Sequence, residues 1–322
     1  MKNKFRFTFF LLLFMASILN AQELILYNVT VFEKSNKTNI GFISLSDKYL
    51  LSEHPDSLAI PDLEEKGIDS AQYFKLNGTY RQRFFSGTKI KETDNVFIYD
   101  YTADILISFP VKELDVVACL NIYRDANDWP YSQYDYMIGF AIDTNLLKGM
   151  GNYFSYTLVT IGKENPFVKG KIAPVIWKKT GPENFPAWIK NTKRDSALRE
   201  YGYNEYTEGD VYTFEAKGFQ YFTRDILNMD GQVFARQLVV TNSKTKATVC
   251  ENVYFEGESA SLAPLNTGKI TDANPGVQWT GKLFANKPPV IFGFEYQSFG
   301  CPGISFLDLS ENDIYINCDN RN

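Results

Sequence analysis

The residues best equipped for chemistry in this 322-residue chain crowd into one stretch, 125–136, rich in acids, amides and aromatic rings. Aromatic faces beside carboxylates and amides suit a sugar. The C–H face of the ring stacks on the aromatic while its hydroxyls bond the acids. Asp125, Asn127, Asp128, Trp129, Tyr131, Tyr134 and Asp135 are therefore the candidate ligand-binding set, with a glycan as the candidate ligand. The same residue types also build an ordinary packed loop. Aromatics make up 16% of the whole chain, so their presence here discriminates weakly and the packed loop is the favoured reading. Glycoside hydrolysis needs only two carboxylates at the right separation. With 38 acidic residues the chain permits it without nominating the pair. Asp125, Asp128 and Asp135 qualify if their loop opens onto a cleft.

Other chemistries find less support. The single histidine, His54, sits in Ser52-Glu53-His54-Pro55-Asp56-Ser57. A nucleophilic triad needs hydroxyl, imidazole and carboxylate aligned in space, which neighbours along a loop rarely achieve. No Gly-x-Ser-x-Gly elbow supplies a nucleophile elsewhere, so a surface loop is the favoured reading of His54. One histidine and no Cys-x-x-Cys spacing argue against zinc. Residues 308–313 alternate oxygen ligands as a calcium loop does, but they lack the glycine its sharp turn requires. A polar turn is favoured there. Glycine-rich phosphate loops are missing too. The expectation is no metal and no cofactor.

The elements that would position a site follow an export signal. Lys2, Lys4 and Arg6 precede an uncharged apolar run, 7–19, and the small residue Ala21. This is the pattern of a secretory signal peptide, with cleavage expected after Ala21. The run is too short for a comfortable permanent span, which needs ~20 residues. Residues 22–322 would be the mature, exported region, periplasmic or extracellular, with no transmembrane helix. Removing those three residues leaves 30 basic side chains against 38 acidic ones. A surface of net charge near −8 repels nucleic acid and anionic lipid, so neither is an expected partner.

Four cysteines remain, Cys119, Cys250, Cys301 and Cys318, and an oxidising compartment favours bridging them. Cys301 and Cys318 lie close in sequence beside turn-forming residues and are the favoured pair. Closing so short a loop would contribute ~3 kcal/mol in the chain-entropy picture. Cys119-Leu120-Asn121-Ile122-Tyr123 resembles Cys250-Glu251-Asn252-Val253-Tyr254, an echo that chance explains better than duplication.

Strand-like runs recur throughout: 25–31, 40–45, 80–85, 96–101, 105–109, 116–123, 137–142, 153–161, 232–241, 247–256, 282–284, 290–296, 304–309 and 314–318. Against them stands one helix, expected over 192–201 with Thr192 as N-cap. Residues 52–66 read as a loop. Prolines and tryptophans interrupt 162–190, marking an irregular passage that could divide the region into two subdomains. The fold class is all-β: an antiparallel sandwich, barrel or propeller-like assembly with at most one or two short helices.

These features favour a non-enzymatic binding or structural protein of the periplasm or cell surface, with a glycan or envelope protein as partner. A carboxylate-based hydrolase acting on glycans is the alternative. An outer-membrane β-barrel comes third, because the strands are short and proline-interrupted and Asn322 is not the aromatic terminus such barrels usually show.

Overall fold

Of the run 25–31 only the end joins a named strand, the rest contributing the bridges of Leu26 and Tyr27; among the described residues every pairing between named strands is antiparallel. The computed structural model describes residues 24–34, 37–49, 51, 58–61, 63, 67–151, 153–268, 276–298 and 300–319. The segment expected to be an export signal and the stretch around His54 lie outside these residues.

In chain order the strands begin with β1 (Thr30–Glu33), β2 (Asn39–Ser44), β3 (Tyr73–Lys75), β4 (Asn95–Asp100), β5 (Ile105–Pro110), β6 (Asp115–Leu120), β7 (Tyr136–Asp143) and β8 (Thr157–Gly162). The irregular passage supplies β9 (Ile172–Pro174) and β10 (Lys178–Thr180). Four long strands follow: β11 (Thr207–Ala216), β12 (Phe219–Leu227), β13 (Val233–Asn242) and β14 (Thr248–Phe255). The last are β15 (Ala260–Leu262), β16 (Trp279–Gly281), β17 (Val290–Phe292), β18 (Glu295–Gln297), β19 (Gly303–Phe306) and β20 (Ile314–Tyr315).

They assemble into a first sheet β1-β2-β7-β6-β3, a second β5-β4-β8, a third β20-β19-β17-β16-β9, a fourth β10-β11-β12-β13-β14, and the pair β15-β18. Side-chain alternation stacks the four larger sheets face to face. Val96 and Ile98 of β4 pack with Phe140 and Ile138 of the first sheet. Phe97 and Tyr99 point the other way, against Val290, Phe292, Ile304 and Phe306 of the third. Ile291, between two of those, joins Tyr221, Leu238 and Val240 of the fourth. The far face of the fourth sheet is covered by Phe185 and Ile189, which meet Phe222 and Val239. The result is an all-β sandwich of antiparallel sheets, none of which closes into a barrel.

Three α-helices accompany the sheets among the described residues, against the one or two expected: α1 (Ile68–Ala71), α2 (Thr79–Thr88) and α3 (Thr192–Glu200). Residues 80–85, read as a strand, belong to α2. Helical spacing lets Arg81 lie over Phe85 at 4.8 Å and Arg83 over Tyr80 at 5.1 Å. It also turns Phe84 inward, edge-on to Tyr49 and Phe140. Those neighbours override the strand propensity of the aromatics. Helix α3 is capped by Asn191 in a left-handed conformation instead of by Thr192. The Asn191 side chain is engaged elsewhere, accepting from Gln237 Nε2 at 3.0 Å. The helix buries Arg194 and Leu198, with Arg194 paired to Asp195 and Glu208. No helix of the described residues is long and apolar enough to cross a membrane.

Several boundaries differ from expectation. Residues 282–284 form only a one-residue bridge, Phe167 with Phe284, and the strand is β16 just before them. The run 290–296 is broken into β17 and β18 by Gly293, whose φ is +91°. A Cβ there would stand 2.0 Å from the Val277 carbonyl oxygen, so only glycine fits. Strands β11 and β12 had no counterpart in the sequence reading.

Beside Gly293 lies Gln278, fully buried. Its Nε2 donates to the carbonyls of Gly293 (2.9 Å) and Pro264 (3.1 Å). Its Oε1 accepts from Trp177 Nε1 (3.3 Å) and Asn266 N (3.4 Å). One amide thus ties four chain segments together. Gln278→Leu keeps the volume and strands these partners away from water. It is expected to lower stability by about 3 kcal/mol, measured by urea denaturation.

Candidate functional site

A cleft of about 530 Å³ opens where edges of the second, third and fourth sheets meet. Its rings are Tyr101, Tyr156, Tyr254, Phe292, Phe294, Tyr296 and Tyr315. Each is placed by a different reason of packing. Tyr101, just past β4, stands edge-on to Tyr156, Trp279 and Phe292. Tyr254 of β14 stacks almost parallel on Phe294, with centroids 4.7 Å apart. Tyr296 and Tyr315 sit on the short edge strands β18 and β20 and remain 52% and 62% exposed. These last two turn ring faces to water at the mouth of the cleft.

The polar groups come from the same strands. Asn252 Nδ2 donates to Ser305 Oγ at 2.7 Å, and Ser305 donates to Asp313 Oδ2 at 3.1 Å. This chain holds β14 of the fourth sheet against β19 of the third and leaves Asp313 exposed at the cleft wall. Glu295 is half-buried. Its Oε1 accepts from the Phe255 backbone N–H at 3.2 Å and its Oε2 from Gln297 Nε2 at 3.1 Å. Burial pushes its carboxyl above the usual carboxylate range, and the two donated hydrogen bonds only partly oppose this. Burial likewise holds the Tyr254 phenol well above its ordinary value. Among the described residues neither Glu295 nor Asp313 forms an ion pair with a Lys or Arg, and no basic side chain lines the cleft.

The expected disulfide is present: Cys301 and Cys318 are bonded, 17 residues apart. It fastens the cleft wall formed by β19 and β20. Cys119 and Cys250 are free and buried, and burial raises the Cys250 thiol to about 12. A thiol so disfavoured as thiolate is a poor nucleophile. Their sequence echo has no structural parallel. After Cys119 the chain leaves the sheet with Ile122 and Tyr123 exposed, whereas the strand holding Cys250 continues through Phe255.

The stretch 125–136 lies elsewhere and folds on itself. Asp125 accepts from Asn127 N while Asp128 accepts from Asp125 N, forming one capping box. Ser132 and Asp135 form a second. Arg124 pairs with Asp135 at 2.7 Å and Asp128 at 3.8 Å. Tyr131 is buried, donates its hydroxyl to the Asp125 carbonyl at 3.0 Å, and meets Trp129 edge-on. The structure therefore brings Asp125, Asp128, Trp129, Tyr131 and Asp135 together, but as a self-capped loop. Asn127 and Tyr134 are exposed on it. None of the seven lines the large cleft. Tyr131 and Tyr134 instead border an open, largely apolar hollow with Leu58, Ile60, Pro61 and Leu63, and no carboxylate lines it among the described residues. Residues 308–313 make a polar turn in which Asp308 accepts from Ser310 N and Oγ. No cluster of three metal-ligating side chains occurs among the described residues.

Comparison of the chain with protein-family models, with curated proteins and with solved structures returns no match. The reading of the cleft rests on its geometry alone.

Glu295 yields a pH test. A carboxyl whose folded pKa is raised costs stability once it must ionise. The cost is therefore absent at acid pH and grows as pH rises above the ordinary glutamate range. Glu295→Gln is expected to melt higher than the parent at neutral pH, with the difference vanishing toward pH 4. Thermal melts of both proteins across a pH series check this.

Proposed function

We propose that the protein is an exported binding protein of the periplasm or cell surface whose cleft takes a glycan. The observation that carries this reading is the set of rings around one opening, with Tyr296 and Tyr315 facing solvent, interleaved with carboxylate, amide and hydroxyl groups. A sugar ring offers an apolar C–H face for stacking and hydroxyls for hydrogen bonding, and this cleft presents the partner of each. The volume suits a small-molecule or oligosaccharide segment, since ligand sites run to ~300–1,000 Å³. The tripartite residues 1–21 and the Cys301–Cys318 bridge support export, because bridges persist in oxidising compartments. The cleft replaces the stretch 125–136 as the proposed site, because the acids there are engaged in capping and ion pairing.

Hydrolysis of the glycan is a second reading with one observation in its favour. Glu295, held above the usual carboxylate range, and the exposed Asp313 line the same cleft. Glycosidases employ two carboxyl groups flanking the scissile bond, the proton donor being the one whose surroundings raise its pKa. Reducing-end release that is lost in both Glu295→Gln and Asp313→Asn would separate it from binding alone.

The binding reading is tested by calorimetric titration with neutral oligosaccharides. Tyr296→Ala and Tyr315→Ala are each expected to weaken binding by about 3–10-fold, the loss of one stacking contact. Unchanged affinity in both variants would contradict it.

A further inference from the structure

The charge of the cleft discriminates among glycans. Among the described residues its ionisable lining consists of Glu295, Asp313 and tyrosines, with no lysine or arginine. In most buried acid sites a protein cation balances the carboxylate. Here the described residues supply Glu295 with two neutral donors, Phe255 N–H and Gln297 Nε2, and Asp313 with one, the Ser305 hydroxyl. Hydrogen bonds satisfy these oxygens in part and leave the negative charge standing. The rings add to it, because an aromatic face carries the negative side of a quadrupole and attracts cations. Tyr254 stands in the field of both carboxylates.

Resting on the glycan reading above, we propose that the cleft selects glycans bearing free amino groups, seating the ammonium on the Glu295 and Asp313 carboxylates against the tyrosine faces. An ammonium leaving water needs replacement partners for its three donors. Two unbalanced carboxylates and adjoining π faces provide them. The same ammonium supplies Glu295 with the counter-charge its burial lacks. An anionic glycan meets the opposite situation: like charge on the wall and no guanidinium or ammonium to receive it.

The test uses residues 22–322 and three oligosaccharides matched in length, at fixed neutral pH and low salt: glucosamine, N-acetylglucosamine and galacturonate. The glucosamine oligomer is expected to bind about tenfold or more tighter than the N-acetylated one. That advantage should shrink as salt is raised and disappear in the double variant Glu295→Gln, Asp313→Asn. The galacturonate oligomer should be the weakest. Equal or tighter binding of the N-acetylated oligomer overturns the amine preference and leaves the glycan reading standing. An amine advantage that persists in the double variant overturns it as well, because attraction would then come from the acidic surface at large. No binding of any oligomer overturns the glycan reading and this inference together. The ligand comparison on the parent protein decides even if the double variant does not fold.

Discussion

A buried amide holds one wall of the cleft in shape. Gln278 spends all of its hydrogen-bonding capacity on three other segments, at Trp177, at Pro264 and Asn266, and at Gly293. Its place is dry, so each of these bonds has no water alternative and the arrangement tolerates little slippage. Gly293 sits at the end of it, in a conformation and a closeness to Val277 that exclude any Cβ. The chain therefore leaves the third sheet at that point. It carries Phe294, Glu295 and Tyr296 out as one wall of the cleft. Had 290–296 run on as one regular strand, alternation would have sent Glu295 and Phe294 to opposite faces of a continuous sheet.

The opposite walls are held by other means. The Asn252–Ser305–Asp313 chain couples the fourth sheet to the third, and the Cys301–Cys318 bridge closes the loop that bears Ser305, Asp313 and Tyr315. Rings on β14, β18 and β20 thus belong to a surface fixed in advance of any ligand, which lowers the ordering cost of binding. The electrostatic character follows from what the same walls omit. Among the described residues the acids lining the cleft, Glu295 and Asp313, are supported by neutral donors.

Much of the fold was legible in the residues because strands declare themselves locally. Strand-like apolar runs marked β4, β5, β7 and β13 to within a residue or two, and turn chemistry marked the Cys301–Cys318 pair. The aromatic run 80–85 misled, because its helical form is stabilised by Arg–aromatic pairs and by Phe84 docking on Phe140, none of which propensity registers. The cleft was illegible for a different reason. Tyr101, Tyr254, Glu295, Asp313 and Tyr315 are scattered over two hundred residues and converge only through sheet stacking. A dense local stretch such as 125–136 draws attention, yet adjacent acids and amides are also what capping boxes require.

The most direct measurement is a crystal structure of residues 22–322 soaked with a glucosamine oligosaccharide. The account predicts sugar density in the cleft, with ring faces on Tyr296 or Tyr315 and an amino group within hydrogen-bonding reach of Glu295 or Asp313. Density on the Trp129–Tyr134 loop with an empty cleft would contradict it.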